Sequence, residues 1–177
     1  MASFTYQRAM ARLIDAACEL AALPVMVALA LDPRDFQGDS IWLKPLKFHI
    51  ALALYTGTIA AYSMLLPEDA FTSRRWRIWI SVTLAAMGFE LAWIATAASL
   101  GTASHFNQTG IWGVLYPLAG AGAVILTALS LTMGIAFWRR ATSPLLLSIA
   151  IGLVLTFALT VPIASTMSSG TSHLVGT

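Results

Sequence analysis

The sequence predicts an all-α fold, an integral membrane bundle of about five transmembrane helices. Of the 177 residues, 58% are hydrophobic and only 10% are charged, whereas a soluble domain carries roughly 25% charged residues. The apolar residues also form long runs, and a helix needs a run of about 20 residues to cross a hydrocarbon core of about 30 Å. We therefore expect an integral, multi-pass membrane protein, surrounded by the lipid bilayer.

Five apolar runs define the predicted helices, which form one helical domain over residues 1–177. The start of the first run is less apolar than the starts of the other four, because Asp15 and Glu19 lie in its first two turns. No small-residue cleavage site follows it, so we expect this segment to be retained rather than removed as a signal peptide. The fourth run is long enough to tilt. The predicted spans are about 13–31, 46–66, 78–100, 111–138 and 145–164.

The basic residues predict the orientation, because cytoplasmic loops carry an excess of Lys and Arg. With the N-terminus in the cytoplasm, most of them fall on the cytoplasmic side: Arg8, Arg12, Arg74, Arg75, Arg77, Arg139 and Arg140. The opposite side holds only Arg34, Lys44 and Lys47. We therefore expect a cytoplasmic N-terminus and a periplasmic C-terminus. Trp76 and Trp138 beside the arginines are predicted interfacial anchors, with docking of anionic lipid or a partner protein as the alternative.

Several function classes are disfavoured. The single cysteine, Cys18, excludes an internal disulfide, CxxC redox chemistry and a thiolate zinc cluster. The net charge is only +2, and the basic residues lie where topology requires them, so nucleic acid is not an expected partner. The chain contains no P-loop, dinucleotide fingerprint or nucleophile elbow, which favours a protein that is not an enzyme.

Glu90, near the middle of the third predicted span, is the strongest single candidate for a functional residue. An ionisable side chain at mid-bilayer costs at least about 2.5 kcal/mol, so it is expected to be protonated, paired, or facing a polar cavity. Proton relay, metal coordination and cofactor contact are the functional hypotheses. The structural alternative is a neutral carboxyl that bonds a neighbouring helix as part of the packing.

A cluster of uncharged polar residues follows in "LGTASHFNQTG", between the third and fourth spans. His105 comes 15 residues after Glu90, about 22 Å along a continuous helix, so the two share a small site only if the helix ends near Gly101. A polar loop is tolerated at membrane depth when it is buried in protein or lines a wet cavity. We predict that Ser104, His105 and Asn107 line such a pocket, with a solvated outer loop as the alternative.

All three histidines fall on the predicted outer side. His49 lies about one turn into the second span, His105 in the outer loop, and His173 in the outer tail. Neutral imidazoles bind copper, zinc or haem iron, so all three are candidate ligands of a transition metal or haem. The alternatives are a polar residue at a helix end for His49 and a free tail for His173, and no HxxxH or HxxE spacing strengthens the metal hypothesis.

The fourth span is rich in glycine, and small residues let helix backbones approach closely. This predicts a compact bundle, a contact with another subunit or a second copy, or room for a flat ligand. Pro117, in the same span, is predicted to kink the helix.

The segments "KPLKFHIALALYTGTIA", "GFELAWIATAASLGTASHFNQTG" and "SSGTSHLVG" resemble a family of uncharacterised bacterial multi-pass inner-membrane proteins. The resemblance covers most of the chain from residue 42 onward, and His49 lies outside the shared pattern. It names no activity, and it implies that the natural product continues past Thr177. The shared positions are Lys44, Pro45, Lys47 and Phe48 at a helix entry, Glu90, Ser104, His105, Phe106 and Asn107, and His173, Val175 and Gly176. Of these, Lys44, Pro45 and Lys47 are expected to have a structural, anchoring role.

Three functional hypotheses follow. In the first, a pocket near the periplasmic face binds a metal, haem or a small polar ligand, with Glu90 in the interior, His105 and Asn107 at the mouth, and His173 as a lid or ligand. In the second, the protein is a non-catalytic accessory subunit of a larger energy-converting membrane complex, respiratory or photosynthetic. In the third, it carries protons or a small solute through Glu90, which the lack of an evident inverted repeat disfavours.

Overall fold

The computed structural model describes residues 22–67, 73–107 and 110–169. Within these ranges the regular secondary structure is helical apart from one short hairpin, which confirms the predicted all-α class. The described helices are α1 (Ala22–Leu31), α2 (Leu43–Ser63), α3 (Arg74–Ser99), α4 (Gly110–Trp138) and α5 (Pro144–Ser169). The predicted start of the first span, before residue 22, lies outside the described residues.

Three of these helices, α3, α4 and α5, are long and apolar enough to cross a membrane. The described part of α1 is a shorter apolar helix. Helix α2 has the length but is more polar, because Lys44, Lys47 and His49 occupy its first two turns. The chain is thus a helical membrane protein, while the count of five spans and the orientation stay predictions.

The segment between α1 and α2 forms an antiparallel hairpin that the sequence analysis did not predict. Strands β1 (Asp35–Phe36) and β2 (Asp39–Ser40) pair with Asp35 opposite Ser40. The two connecting residues, Gln37 and Gly38, both have positive φ, at 57° and 89°. Two left-handed central residues are the requirement of a type I′ turn, whose twist matches that of the strands.

The chain divides into two compact units. The first contains α1, the hairpin, α2 and residues 91–103 at the end of α3. In this unit Arg34 donates to both Asp32 carboxylate oxygens, the shortest contact being 2.7 Å from Nη2, and to the Ser99 carbonyl at 3.1 Å. Asp32 also accepts from Trp42 Nε1 at 2.9 Å. The cation therefore satisfies a carbonyl at the C-terminal end of α3, where a positive charge is favourable.

Helix α2 begins in the same unit with the Lys-Pro-x-Lys entry. Pro45 is buried in the first turn of the helix, where its missing N–H removes no intrahelical hydrogen bond. Lys47 is exposed and Lys44 is half-buried. The anchoring role of these residues stays a prediction.

The second unit contains residues 73–90 of α3, the loop from Ser104, and helices α4 and α5. The tightest approach between α4 and α5 is at Gly134, where a methyl group would stand 2.9 Å from Val154 Cγ2 and 3.1 Å from the Ala150 carbonyl oxygen. Trp79 Nε1 of α3 donates to Thr132 Oγ1 of α4 at 3.0 Å.

Pro117 lies inside α4 as predicted; whether it kinks the helix stays a prediction. Trp76 is half-buried and Trp138 is 58% exposed.

Candidate polar site at Glu90

Glu90 is buried within the second unit, with 5% of its surface exposed. Its Oε1 atom is fully enclosed and has no hydrogen-bond partner among the described residues. No other buried side-chain nitrogen or oxygen in the described part of the chain lacks a partner. The residue that sequence reasoning ranked first is therefore also the one whose polar atom the fold leaves unsatisfied.

Gly122 of α4 makes the space that the Glu90 carboxyl occupies. A methyl group at Gly122 would stand 2.8 Å from Oε1 and 3.6 Å from the carboxyl carbon, closer than a carbon and an oxygen approach in proteins. Gly122 belongs to the buried face of α4, which includes Ala119, Leu126 and Leu129 at helical spacing. The carboxyl thus takes the place that a side chain of α4 would otherwise fill.

This arrangement carries an energetic penalty. A buried polar group without a partner costs about 1–3 kcal/mol, and more when it is charged. Native proteins contain few such groups, and each one points to strain, chemistry, or a bound species that completes the hydrogen bonding. The Glu90 carboxyl can accept a hydrogen bond from a donor or neutralise a cation when ionised, and can donate when protonated.

Helix α3 ends where the sequence predicted, close to Gly101. Gly101 has φ of 63°, and its N–H bonds the Ala98 carbonyl while the Thr102 N–H bonds the Ala97 carbonyl. These two bonds form a Schellman motif, which needs a left-handed residue and so favours glycine. The chain therefore leaves the helix at a defined point before the polar loop.

The loop residues pack against the first part of α4 in the second unit. Ser104 is buried, with its Oγ 3.0 Å from His105 Nδ1. The His105 ring meets Tyr116 edge to face at a centroid distance of 5.8 Å, and the Phe106 ring lies 6.2 Å from the same tyrosine. Tyr116 also hydrogen-bonds the Phe106 backbone. Asn107 is half-buried. These residues thus pack against α4, while the pocket that the sequence analysis places here stays a prediction.

Phe106 holds a left-handed backbone, with φ of 58°. A bulky side chain rarely adopts this conformation, which costs of the order of 1–3 kcal/mol and persists where the surroundings impose it. Here the ring contact with Tyr116 and the backbone bond to its hydroxyl supply that constraint. The loop is therefore held in one conformation on α4.

Glu90 and the loop lie at different depths of the second unit. The Glu90 carboxyl is beside Gly122, and His105 is beside Tyr116, six residues earlier on α4. At 1.5 Å per residue the two levels are about 9 Å apart, whereas metal–ligand bonds are about 2.0–2.6 Å long. This geometry suits contacts at two ends of a ligand better than joint coordination of one ion.

His49 and His173 are the other two candidate metal ligands. His49 belongs to the first unit, where it is buried with Nδ1 2.8 Å from the Pro45 carbonyl oxygen. Because a carbonyl only accepts, Nδ1 carries the proton in a neutral ring and Nε2 keeps the lone pair. His173 lies outside the described residues. Within those residues, no three His, Cys, Asp or Glu side chains come close enough to hold a metal ion.

Tyr116 and Gly122 are the two site residues that the sequence analysis did not single out. Gly122 is one of the glycines of the fourth span, for which the sequence predicts only close packing or room for a ligand. A signal for Tyr116 exists, since it is the only tyrosine of α4 and stands directly before Pro117. Neither signal says which residue lies opposite.

Comparison with protein families, with curated proteins and with solved structures found no match to this chain. The resemblance to the bacterial inner-membrane family therefore stays a prediction, and the geometry at Glu90 carries the functional argument.

Proposed function

We propose that this membrane protein binds a small polar ligand through the Glu90 carboxyl. The observation that carries the proposal is the enclosed Oε1 atom, which has no partner among the described residues and lies in the space that Gly122 leaves on α4. The ligand presents a hydrogen-bond donor or a positive charge to that oxygen, as an amine, a small hydroxylated solute or a hydrated proton does.

The local contacts favour binding over a purely structural role. A carboxyl that serves as packing glue forms a hydrogen bond to a neighbouring helix. Oε1 instead faces a glycine of α4, and no donor of the described chain reaches it. A ligand that donates to Oε1 removes the penalty of burying this oxygen without a partner. The free energy recovered in this way contributes to the affinity for the ligand.

The same contacts favour a small polar ligand over a transition metal ion. A structural or catalytic metal needs three or four protein ligands, and the described part of the chain offers no such cluster. Ser104, His105 and Asn107 lie toward the other end of the proposed site, where they would contact a longer ligand or line its entrance. In the predicted orientation that end faces the periplasm.

The test is purification of the full chain in mild detergent, followed by native mass spectrometry, elemental analysis and an absorption spectrum. We expect a bound small molecule or ion in stoichiometric amount, lost in Glu90→Gln, which keeps the side-chain shape and removes the charge. Gly122→Ala should also weaken binding, because the added methyl displaces the carboxyl. Gly120→Ala is the matched control, since a methyl there meets nothing within 4 Å.

Each contrary outcome identifies a rival hypothesis. A ligand retained by Glu90→Gln with unchanged affinity overturns the proposal. A colourless, ligand-free chain that purifies only within a larger complex and tolerates Glu90→Gln indicates the accessory subunit. Solute or proton flux in liposomes that is lost in Glu90→Gln extends the proposal to the carrier hypothesis, with the same carboxyl acting in turnover.

A further inference from the structure

A second feature of the second unit lies at the opposite end of α4. A cavity of about 400 Å³ runs between α4 and α5, lined by Ile135, Trp138, Arg139, Ile151, Val154 and Leu155. Five of these six side chains are apolar or aromatic and one is a cation. Most of them are partly open to the surroundings, with Trp138 58% and Leu155 49% exposed.

This groove lies beside the tightest contact of the two helices. At Gly134 the backbones of α4 and α5 come close together, and Val154, which contacts Gly134, also lines the groove. Its lining residues extend from Ile135 to Arg139 on α4 and from Ile151 to Leu155 on α5, about 6 Å along each helix axis. The groove therefore has room for the part of an acyl chain that lies nearest the headgroup.

Positive charge is concentrated at one end of this groove. Arg139 and Arg140 follow the last residue of α4, and both are exposed. Neither has an ion-pair partner among the described residues, and no Asp or Glu follows Glu90 in the sequence. The N-terminus of α5 begins four residues after Arg140 and adds the positive end of a helix dipole.

We infer that this groove binds an anionic phospholipid, with one acyl chain between α4 and α5 and the phosphate at Arg139 and Arg140. The apolar lining matches the chain, and the unpaired arginines match the negative headgroup. Trp138 lies between the two regions, as aromatic residues do at the level of lipid headgroups. The inference rests on residues separate from Glu90 and is independent of the function proposed above.

The experiment compares lipids that differ in one part only. The purified full chain is titrated in mild detergent with dioleoyl phosphatidylglycerol, with dioleoyl phosphatidylcholine and with inorganic phosphate, while native mass spectrometry counts bound lipid and thermal unfolding reports stability. We expect one tightly bound phosphatidylglycerol that raises the Tm. Phosphatidylcholine should bind more weakly, and phosphate alone should leave the Tm unchanged.

Variants separate the headgroup contacts from the groove. Arg139→Gln with Arg140→Gln should lower the phosphatidylglycerol affinity about thirtyfold, since each arginine near an anionic surface contributes about fivefold, and should leave phosphatidylcholine unaffected. Arg75→Gln is the matched control, because it removes one exposed charge of α3 that does not line the groove. Ile151→Trp should fill the groove and weaken both lipids.

Three results would overturn the inference. Equal binding of the two lipids, in the wild type and in the double arginine variant alike, would show that Arg139 and Arg140 do not recognise the headgroup. A Tm increase by phosphate as large as that by phosphatidylglycerol indicates an anion site without an acyl chain. A protein partner that co-purifies and shields Trp138 from lipid assigns the groove to a protein contact instead.

Discussion

A carboxyl group enclosed without a hydrogen-bond donor costs the folded protein about 1–3 kcal/mol, and Glu90 contains such an oxygen. Glu90→Met replaces it with an unbranched apolar side chain that adapts to irregular space. When both proteins are free of ligand, we therefore expect the variant to be more stable than the wild type by about 1–2 kcal/mol. Ligand binding should be lost in the variant. Reversible unfolding in detergent measures the difference.

Thr83→Val is the control for this change. Thr83 is also buried on α3, but its hydroxyl bonds the Trp79 carbonyl within the same helix. A polar-to-apolar change there removes a satisfied group and should not stabilise the protein. If Glu90→Met instead lowers the stability, the carboxyl has a structural partner and the binding proposal loses its main support.

Asp32 predicts an acid limit for the first unit. Hydrogen bonds from Arg34, and then from Trp42, hold the pKa of the Asp32 carboxyl well below its usual value of about 3.9. A carboxyl with a lowered folded pKa adds stability above the unfolded pKa, and this contribution is lost as the pH falls toward the folded value. The Tm difference between wild type and Asp32→Asn should therefore be constant from about pH 5 to 7 and shrink below about pH 4.

Asp35→Asn removes an exposed carboxylate from the neighbouring hairpin and controls for the change in net charge. A Tm gap between wild type and Asp32→Asn that persists unchanged at the lowest pH would show that the carboxylate form of Asp32 does not stabilise the fold.

Single residues were predictable where their chemistry conflicts with their surroundings. Glu90 conflicts with an apolar run, and Gly101 conflicts with a continuing helix, so both stood out in the sequence. The partners of Glu90 and His105 did not, because Gly122 and Tyr116 become neighbours only when α4 is rotated and docked. The rotation of one helix against another depends on many side chains at once and leaves no local pattern.

At the scale of elements, Gly134 sets the distance between α4 and α5. A methyl group there would stand 2.9 Å from Val154 Cγ2 and 3.1 Å from a backbone oxygen, and backbone cannot move aside cheaply. Gly134→Ala should therefore destabilise the protein by about 1–3 kcal/mol. Gly152→Ala, which adds the same methyl to α5 where nothing lies within 4 Å, should be neutral or stabilising by up to about 1 kcal/mol. Thermal or SDS unfolding compares the pair, and equal effects would contradict close packing at Gly134.

The hydrogen bond from Trp79 to Thr132 connects α3 to α4. Thr132→Val keeps the side-chain shape and leaves the indole N–H without this acceptor, so a loss of about 0.6–1 kcal/mol is expected. Thr127→Val is the matched control, because the Thr127 hydroxyl bonds only carbonyls of its own helix. Unfolding monitored by tryptophan fluorescence measures the stability of both variants. An equal loss in the two would show that the interhelical bond does not stabilise the protein.

Hydropathy predicted the positions of the long helices but not where they end. The structure begins α3 at Arg74 rather than 78, and extends α5 to Ser169 rather than 164. A helix continues through the headgroup region, where polar side chains are tolerated, whereas hydropathy marks only the hydrocarbon core. The hairpin at 35–40 escaped prediction because two-residue strands have no periodicity, and Gln-Gly lacks the Asn or Asp typical of its turn.

At the scale of the whole molecule, composition was sufficient for the class and insufficient for the number of spans. The low charge content and long apolar runs predicted the all-α membrane protein. Helix α2 has two lysines, a histidine and several hydroxyl groups among its apolar residues, so length alone does not determine whether it crosses the bilayer. That depends on which polar groups are satisfied inside the protein, and composition does not report it.

The orientation predicted from the arginines is testable with one reactive cysteine at a time. Cys18→Ser removes the single native thiol, and Asp35→Cys or Thr142→Cys then places a thiol at an exposed position of the hairpin or of the α4–α5 connection. With a cytoplasmic N-terminus and five spans, the hairpin lies in the periplasm and the connection in the cytoplasm, because seven of the ten basic residues then face inward. A membrane-impermeant maleimide should label intact spheroplasts at position 35 and should label position 142 only after lysis. The reverse pattern would show that the orientation is inverted. Labelling at both positions before lysis would show that both lie in the periplasm, so that an even number of spans separates them.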